Sequence, residues 1–148
     1  MNVSKQEYSK MAEKASPKSK HLRDCALAFL VGGSICCFGQ VLTNLYVMWG
    51  MELKAARTLT SITLIFLTGL FTALNLYPQL AKHAGAGTLV PITGFANSVV
   101  APAIEFKSEG YITGLGAKIF TISGPVLVFG MIASVVYGII YYAFTVWF

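Results

Sequence analysis

The 148 residues carry 55% apolar and 11% charged side chains, where soluble domains run near ~25% charged. That balance excludes an ordinary soluble domain and describes an all-α integral membrane protein. The net charge of +5 is unevenly placed. Lys5, Lys10, Lys14, Lys18, Lys20 and Arg23 precede the first apolar run, interspersed with Glu7, Glu13 and Asp24, whereas 119–148 carries no charge. Basic arms can bind nucleic acid, but the positive-inside bias explains this one more simply, so no nucleic-acid partner is expected.

Residues 1–24 read as a basic cytoplasmic tail and 25–148 as the membrane domain. The tail is not expected to be a cleaved leader: its basic stretch is long, no small-residue cleavage site follows, and the next run is of spanning length. A helical Met1–Ala15 would bring Tyr8, Met11 and Ala12 to one face, as in an interfacial helix; a disordered tail fits equally. Cys25–Met51 is uncharged for 27 residues, enough at about 1.5 Å per residue to cross a hydrocarbon core of ~30 Å. Its cysteines, Cys25, Cys36 and Cys37, have no His or carboxylate at ligand spacing, so they read as packing residues and no metal or cofactor is expected. Gln40 and Asn44 are four apart on one face, which lipid would penalise, so they are candidates for polar packing on another helix or a cavity.

Glu52–Arg57 is a short polar link, implying an antiparallel hairpin with the next run, Thr58–Ala81. There Thr58, Thr60, Ser61, Thr63, Thr68 and Thr72 can bond their own helix carbonyls. Asn75 and Pro78 mark its end, and Tyr77 reads as an interfacial aromatic. The expected spans are about 25–49 and 58–78.

The segment His83–Pro102, HAGAGTLVPITGFANSVVAP, lies in an uncharged run of spanning length yet is a poor helix. Gly85, Gly87 and Gly94 cost about 1 kcal/mol each relative to Ala, and Pro91 and Pro102 about 3 each. In hydrocarbon, backbone freed by such breaks must be buried in protein or line a watery cavity. Residues 84–104 are therefore read as a broken segment, spanning or re-entrant. Glu105-Phe106-Lys107-Ser108-Glu109-Gly110 follows, and from Gly110 onward Lys118 is the only charge. Ser123-Gly124-Pro125 divides a half-length helix over 110–123 from a last span over 125–147, whose late Tyr137, Tyr141, Tyr142, Phe144, Trp147 and Phe148 suit an interface. Gly110 and Gly114 form a GxxxG pair suited to close helix approach.

Four stretches, FLVGGSICCFGQ (29–40), AGAGTLVPITGFANS (84–98), AIEFKSEG (103–110) and GLGAKIF (114–120), resemble the SpoVA membrane-protein family of spore-forming bacteria. The likeness runs from Phe29 to the end, and the glycine-rich VPITGFANS core is its most specific part. The long basic tail and the EFKSEG stretch favour the AC-type branch over the AE-type branch, which shares the core. The chain departs from the family's pattern around Leu74–Pro78 and at His83. The resemblance implies a subunit of a spore inner-membrane channel complex that moves dipicolinic acid with calcium, inward during sporulation and outward at germination. It also implies tension sensitivity, further SpoVA-type membrane subunits and a soluble dipicolinate-binding subunit as partners. The alternative is a structural subunit, outside the pore, that docks that soluble partner.

A pathway for a small dianion needs polar groups that bind weakly enough to release it. Glycine breaks expose N–H groups, and helix N-termini carry about half a positive charge, an arrangement transporters use for anions. Gly85, Gly87, Pro91, Thr93, Gly94, Asn97 and Ser98 are the candidate solute contacts; the alternative is that these glycines serve tight packing alone. Lys118 suits an anionic solute or snorkels to the surface. Glu105 and Glu109 could neutralise Lys118, hold calcium weakly or sit in a solvated loop. No catalytic constellation is visible: there is no P-loop, HExxH or CxxC, and the histidines are His21 and His83 alone. No enzyme is expected. One protomer is too small to enclose a pore, so an oligomer with its own or paralogous subunits is expected.

Overall fold

The computed structural model describes residues 4–15 and 20–147. Met1 and Lys18 of the tail and Phe148 of the last span lie outside the described residues. The elements are α1 (Lys5–Ala15), α2 (His21–Met48), α3 (Leu53–Ala73), α4 (Leu76–Ala84), α5 (Ala86–Leu89), α6 (Ile92–Glu105) and α7 (Ser123–Trp147). No strand occurs among the described residues. Helices α2, α3 and α7 are long and apolar enough to cross a bilayer, at about 42, 32 and 38 Å.

Within the tail Lys5–Ala15 is helical, and the start of this helix is chemically defined. The Ser4 backbone N–H and hydroxyl donate to Glu7 Oε2 at 3.1 and 3.0 Å, while the Glu7 N–H donates to Ser4 Oγ at 3.3 Å. This is a capping box, S-x-x-E, closing donors that a helix N-terminus otherwise leaves open. The Ser4 backbone N–H, then its hydroxyl, hold the Glu7 carboxyl below the usual range. A depressed carboxylate pKa stabilises the folded form above the unfolded pKa and loses that contribution as pH falls through the folded value. Helix content of a vesicle-bound tail peptide, followed by circular dichroism, should hold from pH 7 to about 5 and fall below about 4. Ser4→Ala should lower it at every pH.

Helix α2 ends in a tight reversal. The Gly50 N–H reaches the Val47 carbonyl at 2.9 Å and Met51 N–H reaches Tyr46 at 3.2 Å, with Gly50 at φ +89°. That is the paired C-terminal motif that a left-handed glycine permits, and it folds α3 back on α2. The hairpin is joined by hydroxyls: Thr43 and Thr60 lie 2.9 Å apart, as do Tyr46 and Thr63. As expected, Thr58, Thr60, Ser61, Thr63, Thr68 and Thr72 each donate to the carbonyl four residues back. Asn75 at φ +58° ends α3, an αL position Asn tolerates better than most residues. Pro78 falls in the first turn of α4, where its missing N–H costs nothing.

The broken segment folds back into this hairpin. α4 and α5 pack on α2, and α6 lies along α3. Contacts from Thr72 to Asn97 and from Gly69 to Val100 show α6 running antiparallel to α3. At 14 residues it measures about 21 Å, short of a full crossing. The half-length helix expected over 110–123 takes the form of a π-helical turn, Tyr111–Gly116. Irregular turns then carry the chain to Ser123. Gly110, at φ +101°, reverses the chain there, and Gly114 packs on the Phe106 carbonyl, so this GxxxG pair serves a local turn.

Burial is inverted relative to a soluble domain. Ala56, Ala84, Ala96 and Tyr77 are the buried apolar residues, joined by Thr43, Thr60, Thr68, Thr72, Thr88, Thr93 and Ser123. Large apolar side chains such as Phe29, Phe66, Phe129 and Ile139 are exposed. Small and hydroxyl-bearing residues inside with bulky ones outside is the pattern of helices packed in lipid, where close approach replaces the hydrophobic effect. Helix α7 is the extreme case: none of its most apolar window is buried, and it meets the rest chiefly through α6.

The candidate site around the broken segment

The turn from α4 to α6 is possible because of three glycines. Gly85 takes φ +50° between α4 and α5. A Cβ at Gly87 would overlap the Ala28 carbonyl of α2, and one at Gly94 would overlap the Thr88 and Leu89 carbonyls. Gly32 answers Gly87 from α2, its own Cβ direction 3.2 Å from the Gly87 oxygen. α5 is thereby pressed backbone to backbone against α2.

Tyr77 locks the break. It is 6% exposed, and its hydroxyl lies 2.9 Å from both the Thr88 carbonyl and Thr93 Oγ1. One proton cannot serve both, so the phenol donates to the carbonyl and the Thr93 hydroxyl donates back to the phenol oxygen. Tyr77 is therefore not the interfacial aromatic expected from its place near a span end. α4 turns inward after Asn75 and carries it under the break. The freed Thr88 carbonyl is the kind of group that needs such a partner in lipid.

The other sequence candidates are distributed around this lock. The Asn97 amide lies 2.9 Å from Thr72 Oγ1, tying α6 to α3. Ser98 donates to the Phe95 carbonyl at 2.7 Å. Gln40 Nε2 donates to Asn44 Oδ1 at 2.8 Å, so these amides satisfy each other on an exposed face of α2. Lys118 is half-buried with Nζ 5.3 Å from the Phe106 ring centroid, a cation–π contact. Glu105 and Glu109 are exposed, and no ion pair links them to Lys118 among the described residues.

Three cavities touch this region. An apolar one of about 360 Å³ lies between α2, α3 and α4, with Tyr77 and Thr93 on its wall. A polar groove of about 400 Å³ holds His21 and Asp24 of α2 against Lys82, His83 and Gly85. It places the end of α4 beside the start of α2, as two successive crossings require. A third, of about 390 Å³, is lined by Gln40, Thr43, Arg57 and Ser61 beside Pro91 and Ile92. One polar groove thus lies at the start of the broken segment, by Gly85, and the other at its Pro91 break. Asn97, Ser98 and Lys118 line none of these three. Arg57 was not legible as a site residue, because the link 52–57 reads as a loop. Helix α3 instead begins at Leu53, which sets Arg57 on its second turn. The Arg57 side chain is exposed close to the hairpin end, so no cost of burial marked it. No group of three or more His, Cys, Asp or Glu side chains able to hold a metal occurs among the described residues.

The sequence profile of the SpoVAC/SpoVAEB sporulation membrane proteins matches residues 24–140. The chain belongs to this family. Stage V sporulation protein AC of Bacillus subtilis (strain 168) is 40% identical over 141 residues, 95% of this chain and 94% of that protein. No solved structure matches. The matched residues of the SpoVAC/SpoVAEB family take in α2 from Asp24 onward, all of α3 to α6 and most of α7, so the hairpin and its broken insert both lie within the family's shared region.

Proposed function

We propose that this chain is a subunit of a spore inner-membrane channel complex that moves dipicolinate, as the acid or its neutral calcium chelate. Flux runs into the forespore during sporulation and out at germination, with opening favoured by membrane tension. The observation that carries the reading is the Gly- and Pro-broken segment, held against α2 with one polar groove at its start and another at the Pro91 break. Irregular backbone at membrane depth is tolerated where it is buried in protein or lines a path for a polar solute. The solute passes the Pro91 break, with Asn97 on the second turn of α6; Lys118, on the Phe106 ring past the far end of α6, supplies a positive field at that end of the route. The lipid-facing α7 and the size of one protomer favour assembly with further SpoVA-type subunits.

The test is dipicolinate efflux from liposomes holding the purified chain, alone or with an AE-type paralogue, with and without hypo-osmotic stretch. Efflux above that of empty liposomes, increased by stretch, is expected. No efflux in any of these preparations would leave the docking reading, in which the exposed tail helix engages the soluble dipicolinate-binding subunit. Deleting residues 1–20 should then abolish co-purification of that subunit.

The six basic residues before Cys25 support an N-terminus in the forespore cytoplasm. With Cys25, Cys36 and Cys37 replaced, an impermeant maleimide added outside should miss a cysteine at Ser4 and label one at Ala55, on the exposed first turn of α3. The reverse pattern would invert the topology.

A further inference from the structure

The two polar grooves differ in charge balance. The one at the start of α2 carries its own counter-charge, since Asp24 lines it together with Lys82. The one beside Pro91 does not: Arg57 is a wall of it and no acidic residue lines it. Among the described residues Arg57 forms no ion pair, and a guanidinium keeps its charge at any pH a protein meets. Around it stand the Gln40 amide, the Ser61 and Thr43 hydroxyls, and Ile92 at the start of α6. α6 has no side-chain cap; the Gly94 N–H is taken by the Pro91 carbonyl at 2.9 Å, which leaves the Ile92 and Thr93 N–H groups and the positive end of the dipole at that helix start. A volume of about 390 Å³ lies within the range of small-ligand sites, enough for one aromatic ring bearing carboxylates.

We propose that this groove is an oxyanion-binding site, in which Arg57 takes a carboxylate of the solute through two parallel N–H donors. Arginine is the side chain suited to that planar, bidentate contact. The amide and hydroxyls orient the rest of the ligand, and the start of α6 adds positive potential from the broken segment itself. The identity of the carboxylate as dipicolinate rests on the function proposed above; the oxyanion chemistry does not. A lipid phosphate could supply the same chemistry, since Arg57 lies near the hairpin end of α3.

The experiment measures dipicolinate binding by equilibrium dialysis to the full chain in phosphatidylcholine vesicles, and again with phosphatidylglycerol included. Wild type, Arg57→Gln and Arg57→Lys are compared, each with its thermal unfolding recorded. Saturable binding is expected, weakened at least about tenfold in Arg57→Gln and less in Arg57→Lys, which keeps the charge and loses the fork. Loss of the Arg57-dependent binding when phosphatidylglycerol is added would support the oxyanion site with the headgroup as its ligand. Wild-type binding of both dipicolinate and phosphatidylglycerol by a folded Arg57→Gln would overturn the site; if that variant does not fold, undiminished binding by Arg57→Lys overturns the bidentate contact. Arg57-dependent binding without any liposome efflux would sink the channel reading and leave the site standing. Efflux with no Arg57 dependence of binding would do the reverse.

Discussion

Gly87→Ala should destabilise the protein more than any other single methyl addition on α2 to α6 except Gly94→Ala. The added Cβ would meet the Ala28 carbonyl oxygen, with Ala28 C and Cα 2.9 Å away, and all three are backbone atoms that cannot rotate aside. Overpacking usually costs about 1–3 kcal/mol, and a backbone obstacle puts this substitution at the upper end. Because the obstacle is backbone, Ala28→Gly should give no rescue, which separates this clash from ordinary side-chain crowding. Gly33→Ala is the matched control, since nothing lies within 4 Å of its Cβ direction, and it should be neutral within about 0.5 kcal/mol. Reversible unfolding in mixed micelles measures all four variants. Wild-type stability in Gly87→Ala would mean that α5 does not seat on α2, and with it the placement of both grooves would fail.

How much of this was legible in the sequence depends on whether a feature is local. The spanning helices follow from uncharged length, the hydroxyl ladder of α3 from Thr and Ser spaced for bonds to the preceding turn, and the stop at Asn75 from its tolerance of the left-handed region. The glycines and Pro91 announced a broken segment, since their cost in a helix is a property of the residues themselves. What they touch was not announced. Gly87 opposes Ala28 across nearly 60 positions because α4 turns back under the hairpin, and nothing near either residue encodes that distance. Tyr77 was misplaced for the same reason: an aromatic near a span end is interfacial unless the next helix folds inward. The Ser4–Glu7 capping box, by contrast, was present as a plain S-x-x-E pattern and depended on no distant contact. Arg57 fell between these cases, its charge visible but its helical placement hidden by a polar link that α3 absorbs.

Removing the Tyr77 hydroxyl should loosen the break without disturbing its sterics. Tyr77→Phe keeps the ring buried among α4, α5 and α6 and deletes the one group joining the Thr88 carbonyl to the Thr93 hydroxyl. An unsatisfied buried carbonyl costs about 1–3 kcal/mol. Thr93 can turn its hydroxyl to a helix carbonyl, as Thr72 and Thr88 do on their own segments, whereas the Thr88 carbonyl has no such freedom. The loss should therefore concentrate at residues 86–93. Hydrogen exchange there should quicken by about five- to a hundredfold, from the same cost, while the α2–α3 hairpin, held by Thr43 and Thr60, should exchange as before. If the solute passes the Pro91 break, the same variant should leak dipicolinate from unstretched liposomes faster than wild type, and Thr93→Val should leak less because it leaves the bond to Thr88 in place. Faster exchange with unchanged leak would make Tyr77 a structural lock only. Unchanged exchange would show that water or a neighbouring subunit already serves the Thr88 carbonyl, and Tyr77 would not be what holds the break.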